Sequence, residues 1–341
     1  MSWTVVRHPG PERPPPGPGC PLNSGESGMQ LGTQLKGLLL ALTTALFWGT
    51  LPIALKQVVT TVDPMTIVWL RFSTGALWLW VWLPRRDARR LRFGVYERRI
   101  ILLLGIAAAG LGGNFVLFNA SVAYLSASAT QIIAQAGPML LMLGSVVVLR
   151  EPLRRIQVSG VATLLLGFGL FFNERLADLL RFREGYGLGL ALGLTAAVVW
   201  AVYGVTQKIL LREMAPPRIM RALYTVCALA LTPFAAPQSL LRLDALQIVC
   251  LAYCCLNTLV AYGAFSRAMA CWHTAKVSAV ITLTPLFTLI FAKLFHLLGP
   301  AFFPADPLNW LSYGGALVVV CGAGLIAVGP LLHPLTLFHH R

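Results

Sequence analysis

Long runs of apolar residues, separated by short polar or basic loops, fill the chain from about residue 35 onward. The runs do not alternate between apolar and polar positions, so they predict helices and not the strands of a barrel. The shortest runs have about 18 residues, which is enough for a helix to cross a bilayer. The pattern predicts ten spans, at 36–58, 64–83, 100–122, 126–149, 156–173, 187–207, 218–236, 244–265, 276–298 and 310–330.

The composition excludes a soluble globular protein. Of the 341 residues, 57% are hydrophobic and 11% are charged, whereas a soluble domain carries about 25% charged residues. Residues 1–34 differ from the rest, because they hold seven prolines and no apolar run. This composition predicts a disordered Pro-rich tail. We expect residues 1–28 to be dispensable and translation to start at Met29.

The placement of the basic residues predicts the orientation of the chain. The formal net charge of +15 would fit a nucleic-acid-binding protein. With the N-terminus inside, however, twenty Lys and Arg fall in inside segments and five in outside segments, and inside loops of membrane proteins are expected to be basic. We therefore predict cytoplasmic N- and C-termini, a cytoplasmic segment at 84–99, an external segment at 299–309 and no nucleic-acid partner.

The two halves of the chain share spaced residues. The matching sets are Trp48 and Lys56 with Trp200 and Lys208, Arg71 with Arg221, and Gln131, Gln135 and Pro138 with Ser278, Thr282 and Pro285. Five spans per half is an odd number, so the second half would enter the membrane from the opposite side, as in the inverted repeats of secondary transporters. The predicted fold class is an all-α integral membrane protein of ten transmembrane helices built as two inverted five-helix repeats. The repeats are expected at 35–183 and 184–330, with a short cytoplasmic tail at 331–341.

Four segments resemble the EamA-type permeases of the drug/metabolite transporter superfamily: ALFWGTLPIALK, LRFSTGALW, FNASVAYLSASATQIIAQAGPMLLMLGSVVVLREPL and LTPLFTLIFAKLF. The resemblance covers the chain from about residue 35 to about 330. That family usually has Gly-Glu at the end of span 4, where this chain has Arg150 and Glu151. The resemblance implies a ten-helix inverted-repeat fold and the export or exchange of small metabolites.

Polar residues in spans 4 and 9 are the first candidates for a substrate site. They comprise Gln131, Gln135 and the kink residue Pro138 in span 4, and Ser278, Thr282 and the kink residue Pro285 in span 9. Proline removes a backbone donor and clashes with the carbonyl four residues earlier, so both helices are expected to be kinked. The functional interpretation is that the two helices line a central cavity. The alternative is that these side chains hydrogen-bond neighbouring helices.

Aromatic and charged residues within the spans are further candidates for substrate binding. Trp48 and Trp200 lie away from the membrane interfaces where Trp is enriched, so they are either cavity walls or core residues. Arg71 lies well inside span 2. A cation there binds a carboxylate or another anion, extends to the outer headgroups, or pairs with a carbonyl at a helix end. Other cavity candidates are Tyr203, Tyr262, Asn114 and Asn257.

The predicted function is a multi-pass transporter of the inner (plasma) membrane that moves a small organic metabolite by alternating access. The alternatives are an integral-membrane enzyme acting on lipid, which would need polar groups clustered at one membrane face, and a membrane scaffold without transport. No HExxH, P-loop or GxSxG motif is present, and we predict no catalytic residue, cofactor or metal site. The predicted partners are a small-molecule substrate and the lipid bilayer. Acidic residues fall in loops, tails or span ends and His296 lies near the outer end of span 9, so proton coupling through a central side chain is not expected.

Overall fold

The computed structural model describes residues 27–83, 95–149, 154–175, 185–272, 274–304 and 308–328. Residues 1–26 of the predicted tail, Glu151 and the predicted tail at 331–341 lie outside the described residues. The α-helices are α1 (Ser27–Val58), α2 (Pro64–Trp82), α3 (Val95–Tyr124), α4 (Ala127–Ala134), α5 (Ala136–Leu149), α6 (Arg155–Phe171), α7 (Tyr186–Leu210), α8 (Pro216–Leu231), α9 (Ala245–Cys271), α10 (Thr274–Ile281), α11 (Thr284–Leu298) and α12 (Trp310–Val328). Short 3₁₀ segments occupy Asn173–Arg175, Thr232–Phe234 and Pro237–Arg242. The described segments contain no β-strand, so the all-helical prediction is confirmed for them.

Seven helical segments within the described residues are long and apolar enough to cross a membrane. They are Gln34–Val58, Arg98–Tyr124, Ala127–Val148, Tyr186–Leu210, Ala245–Cys271, Lys276–Leu298 and Trp310–Ala327. Helix α6 is a shorter apolar helix. The predicted spans at 64–83 and 218–236 correspond to α2 and α8, which have 19 and 16 residues. Helix α2 contains the buried Arg71, and α8 contains the half-buried Arg221. The charged residue lowers the mean hydropathy of each helix.

Side chains that cap the helices fix several of the turns. Asp63 accepts a hydrogen bond from the backbone N–H of Thr66 (2.9 Å) at the start of α2, and Pro64 occupies the first turn. Ser126 caps α4 in the same manner. At the start of α9, Asp244 and Gln247 accept reciprocally from each other's backbone N–H, which forms a capping box.

The predicted spans 126–149 and 276–298 are each interrupted where a single kinked helix was expected. Helix α4 ends at Ala134, Gln135 forms a turn, and α5 begins at the next residue. Residues 282–283 form the corresponding turn between α10 and α11. Both interruptions lie two or three residues before a proline, whose missing N–H and ring clash weaken the preceding helical turn.

Two predicted span ends are corrected. The span at 218–236 ends as an α-helix at Leu231, because Pro233 lies in the 3₁₀ turn that follows. The span at 244–265 extends to Cys271.

The helices pack in close pairs: α6 against α12, α3 against α7, and α1 against α9. Glycines permit the first of these contacts. A Cβ on Gly315 would lie 2.4 Å from the backbone nitrogen of Phe171, and one on Gly322 would lie 2.4 Å from that of Leu164. Such direct contact between backbones is the mode by which small residues bring membrane helices together.

Candidate substrate cavity

A central cavity lies between helices from both halves of the chain. Its empty volume is about 740 Å³, the solvent at its opening included. Most of the lining is apolar or aromatic. The lining residues are Trp48, Leu51, Arg71, Asn114, Phe115, Phe118, Asn119, Gln131, Ala134, Gln135, Gly137, Pro138, Gly193, Ala196, Ala197, Trp200, Tyr262, Ile281 and Thr284.

Arg71 is the charged residue of the lining, and it is 1% exposed. Its Nε donates to Thr258 Oγ1 of α9 (2.8 Å), and its Nη1 donates to Asn119 Oδ1 of α3 (3.4 Å). The guanidinium carbon lies 4.5 Å from the ring centroid of Phe115, in a cation–π contact. Partners on two other helices, α3 and α9, therefore hold the guanidinium at the cavity, and the side chain is buried here instead of extending to the headgroups.

An aromatic wall closes one part of the cavity. The rings of Trp48 and Trp200 contact edge to face, with centroids 6.5 Å apart. Trp48 also packs against Tyr262 (5.0 Å) and Phe265 (5.3 Å). Trp200 lies so close to Gly137 that a Cβ there would be 3.0 Å from Trp200 Cε3. Trp48 and Trp200 thus line the cavity and also pack in the core. The prediction offered cavity wall and core residue as alternatives, and both descriptions fit.

The amide side chains of the lining differ in their hydrogen bonding. Asn114 Nδ2 donates to the carbonyl of Ala196 (3.0 Å) and links α3 to α7. Gln131 and Gln135 are both buried at the α4–α5 break. Among the described residues of the lining, four side-chain atoms are buried without a hydrogen-bond partner: Gln135 Oε1, Asn119 Nδ2, Arg71 Nη2 and Trp48 Nε1. Burying such groups is costly, so a cavity lined by them is suited to a polar ligand that pairs with them.

The comparisons with known proteins identify the family. The EamA-like transporter family matches over residues 35–173 and again over 187–328. The chain belongs to the EamA-like transporter family. It is 48% identical over 294 residues to the uncharacterized inner membrane transporter YhbE of Escherichia coli (strain K12), covering 86% of this chain and 91% of that protein. An uncharacterized transporter of Haemophilus influenzae is 41% identical over 300 residues, covering 88% and 97%.

More distant matches extend over most of the chain as well. The chain is 23% identical over 296 residues to a protein of Salmonella typhimurium named "Probable amino-acid metabolite efflux pump". The match covers 83% of this chain and 92% of that protein. A solved crystal structure superposes with a TM-score of 0.58 at 19% identity, covering 85% of this chain and 95% of the other. This likeness concerns the fold alone. With the apolar helices, the family makes the chain a multi-pass inner-membrane transporter.

In this EamA-like chain, five predicted site residues do not line the cavity. Asn257 donates from its Nδ2 to the carbonyl of Phe47 on α1. Ser278 is half-buried and lies outside the lining. Thr282 donates to the carbonyl of Ala279 in the last turn of α10 (2.7 Å), and Pro285 is buried at the start of α11. Tyr203 is fully buried in a cluster with Phe72 and Tyr224. Thr284 lines the cavity instead of Thr282, because the turn at 282–283 breaks the continuous helix that the sequence analysis assumed.

Three residues around Arg71 were missed by sequence reasoning. Asn119 and Phe115 line the cavity beside it, and Thr258 fixes its Nε. Asn119 carried a usable signal, since it is a polar residue well within an apolar span. Thr258 lies 187 residues from Arg71, and no local spacing relates the two.

Proposed function

We propose that this chain moves a small organic metabolite across the inner membrane by alternating access through the central cavity. The cavity carries the proposal: it lies between the two halves of the chain and combines an apolar lining with four buried polar atoms that lack partners. A ligand that pairs with those atoms and is surrounded by apolar walls fits the usual design of a small-molecule site. Transport is the role of the family, and we propose no enzymatic activity.

The proposed architecture is ten spans in two inverted five-helix repeats, with both termini cytoplasmic. Two interrupted spans at corresponding positions support it, because the turn at Gln135 precedes Pro138 as the turn at 282–283 precedes Pro285. Discontinuous helices in matching positions of two halves are typical of transporter binding sites. The two family matches, at 35–173 and 187–328, are also consistent with one unit per half.

The direction that we propose is efflux. The support is the Salmonella protein named "Probable amino-acid metabolite efflux pump", which matches this chain over most of its length. Rocking of one half against the other would expose the cavity alternately to the two sides.

Metabolite release from cells tests the proposal. Cells that produce the wild-type chain, the Gln131→Leu/Gln135→Leu double variant or no chain are compared for metabolites inside and outside over time. We expect the wild type to release at least one small organic metabolite faster than cells without the chain, and the double variant to abolish the difference while inserting normally, since a bilayer accepts Leu better than Gln. Gln238→Leu, at an exposed position outside the cavity, is the matched control and should behave as wild type. Equal release by the double variant and the wild type would contradict the proposed site, and no difference between wild type and empty cells would contradict the function.

A further inference from the structure

Arg71 is a buried cation whose partners in the described structure carry no negative charge. Thr258 and Asn119 are neutral acceptors, and Phe115 offers only the face of its ring. A charge that is 1% exposed has lost almost all of its hydration, and burial of a charge is costly unless an opposite charge compensates it. The site is therefore electrostatically suited to an anion.

The geometry around Arg71 holds one edge of the guanidinium ready for a ligand. Thr258 donates its hydroxyl hydrogen to the carbonyl of Cys254 (3.0 Å), so its oxygen is left to accept from Arg71 Nε. Asn119 takes one hydrogen of Nη1, and Nη2 has no partner. A guanidinium has five N–H donors, so the hydrogens that remain lie on Nη1 and Nη2. Nη1 and Nη2 form one of the two edges through which a guanidinium binds both oxygens of a carboxylate in parallel.

The other unpartnered atoms of the lining favour the same ligand. Asn119 Nδ2 and Trp48 Nε1 are further donors, and Gln135 Oε1 is an acceptor. Donors therefore outnumber acceptors among the unpartnered atoms of the lining. The remainder of the lining includes the apolar or aromatic residues Leu51, Phe118, Trp200 and Tyr262, which are suited to an apolar body.

We propose that Arg71 is an anion site, at which the chain binds the carboxylate of a small organic substrate that also has an apolar portion. Arg71 forms the ion pair, Asn119 and Thr258 position its guanidinium, and the aromatic wall contacts the apolar portion. This inference rests on the proposed transport function and narrows its substrate class.

Ligand-induced stabilisation of the purified full-length chain tests this site without requiring flux. Three probes share a phenyl group: 3-phenylpropanoate has only the carboxylate, L-phenylalanine has carboxylate and ammonium, and phenethylamine has only the ammonium. The thermal unfolding temperature is measured against probe concentration to give a Kd. We expect both carboxylates to stabilise the wild type and phenethylamine to have no effect. Arg71→Gln should weaken carboxylate binding by roughly thirty-fold or more.

Arg221→Gln is the matched control. Arg221 lies on α8, contacts the Trp80 ring at 4.7 Å and does not line the cavity, so its loss should leave carboxylate binding unchanged. If Arg71→Gln fails to fold, two other measurements test the anion site. One is carboxylate binding by Arg71→Lys, which keeps the charge without the planar fork. The other is the comparison of the carboxylate probes with phenethylamine on the wild type. The proposal is overturned by a wild type that binds neither carboxylate, by equal binding of phenethylamine, or by unchanged carboxylate affinity in the Arg71 variant.

Different results would contradict the anion site at Arg71 and the proposed transport function. Release of a metabolite without a carboxylate, at the same rate by the wild type and Arg71→Gln, would remove the anion site and leave the transport function intact. Carboxylate binding that requires Arg71, in a chain that releases no metabolite, would support the site and contradict the function.

Discussion

Trp48 of α1 and Trp200 of α7 contact edge to face, with ring planes at 82° and centroids 6.5 Å apart. The two residues occupy matching positions in the two halves of the sequence, each eight residues before a lysine. Their contact joins the halves at the wall of the cavity. A pair with this geometry contributes beyond simple packing.

We predict that Trp48→Leu and Trp200→Leu are non-additive. The coupling energy should be roughly 0.5 to 1.5 kcal/mol, the range for aromatic pairs. The measurement is the free energy of unfolding of the two single variants and the double variant in mixed micelles. Trp78 and Trp82, whose rings are 5.5 Å apart on an exposed face of α2, form the comparison pair, and the same cycle there should give a smaller coupling. Additive losses at Trp48 and Trp200 would show that the contact contributes nothing of its own.

Lys56, at the end of α1, fixes the turn between α3 and α4. Its Nζ donates to the carbonyls of Val122 (2.8 Å), Ala123 (3.2 Å) and Leu125 (2.8 Å). We expect Lys56→Met to lower the free energy of unfolding by roughly 1.5 to 3 kcal/mol, because hydrogen bonds from a charged donor are lost. The exposed Lys36, in the N-terminal third of α1, is the control, and Lys36→Met should change stability by less than about 0.5 kcal/mol. Equal effects of the two variants would contradict the prediction.

The crossing of α6 and α12 predicts sensitivity to a single methyl group. Alanine at Gly315 or Gly322 brings Cβ against backbone atoms at 2.4 Å, so the helices must move apart. We expect each variant to lose roughly 1 to 3 kcal/mol of unfolding free energy, the usual cost of overpacking. At Gly314, one residue away, an added Cβ has no neighbour within 4 Å. Gly314→Ala should therefore leave the unfolding transition in place, and a loss there as large as at Gly315 would mean that helix propensity, not the crossing, is measured.

The sequence predicted the helices and part of the cavity, since both depend on local patterns. Apolar runs give the helices, and Pro138 and Pro285 indicate where two of them are interrupted. Gln131, Gln135, Asn114, Arg71 and the two tryptophans were placed in the candidate site by their depth within spans, and all of them line the cavity.

The remaining parts of the site depend on tertiary structure. Thr258 reaches Arg71 because α9 packs against α2, and no spacing along the chain encodes that contact. The sequence analysis predicted that Thr282 lines the cavity, whereas Thr284 does. Helical spacing does not predict which side chains face the cavity beyond the turn at 282–283. Tyr203 looked equivalent to Tyr262 in sequence, yet its side chain faces the core cluster around Phe72 and Tyr224.

Cysteine labelling tests the predicted orientation at two described positions. Arg212 follows α7, Gln238 precedes α9, and both are exposed. With cytoplasmic termini, Arg212 lies inside and Gln238 outside. In a variant without the native cysteines, Gln238→Cys should react with an impermeant thiol reagent in intact cells, and Arg212→Cys should react only after lysis. The reverse pattern would invert the topology, and reaction of both in intact cells would contradict the span assignment between them.

The final prediction concerns energy coupling. Proton-driven transporters commonly carry the proton on an intramembrane Asp, Glu or His. Within the part of the chain that the structure describes, none of the three lines this cavity. Asp63 and Asp244 cap helix starts at exposed positions, and His296 Nδ1 lies 2.8 Å from the carbonyl of Phe303, outside the lining. Arg71 cannot replace them, because a guanidinium does not release its proton in proteins.

We therefore expect facilitated diffusion or exchange. Purified chain in proteoliposomes should exchange labelled L-phenylalanine at the same rate with and without an imposed pH gradient, and the zwitterion should not accumulate. Liposomes without the chain control for leakage. Accumulation above equilibrium that a protonophore collapses would overturn the prediction. His296→Ala would then be the first variant to make, because His296 is the histidine within the described spans, and histidine is one of the common intramembrane proton carriers.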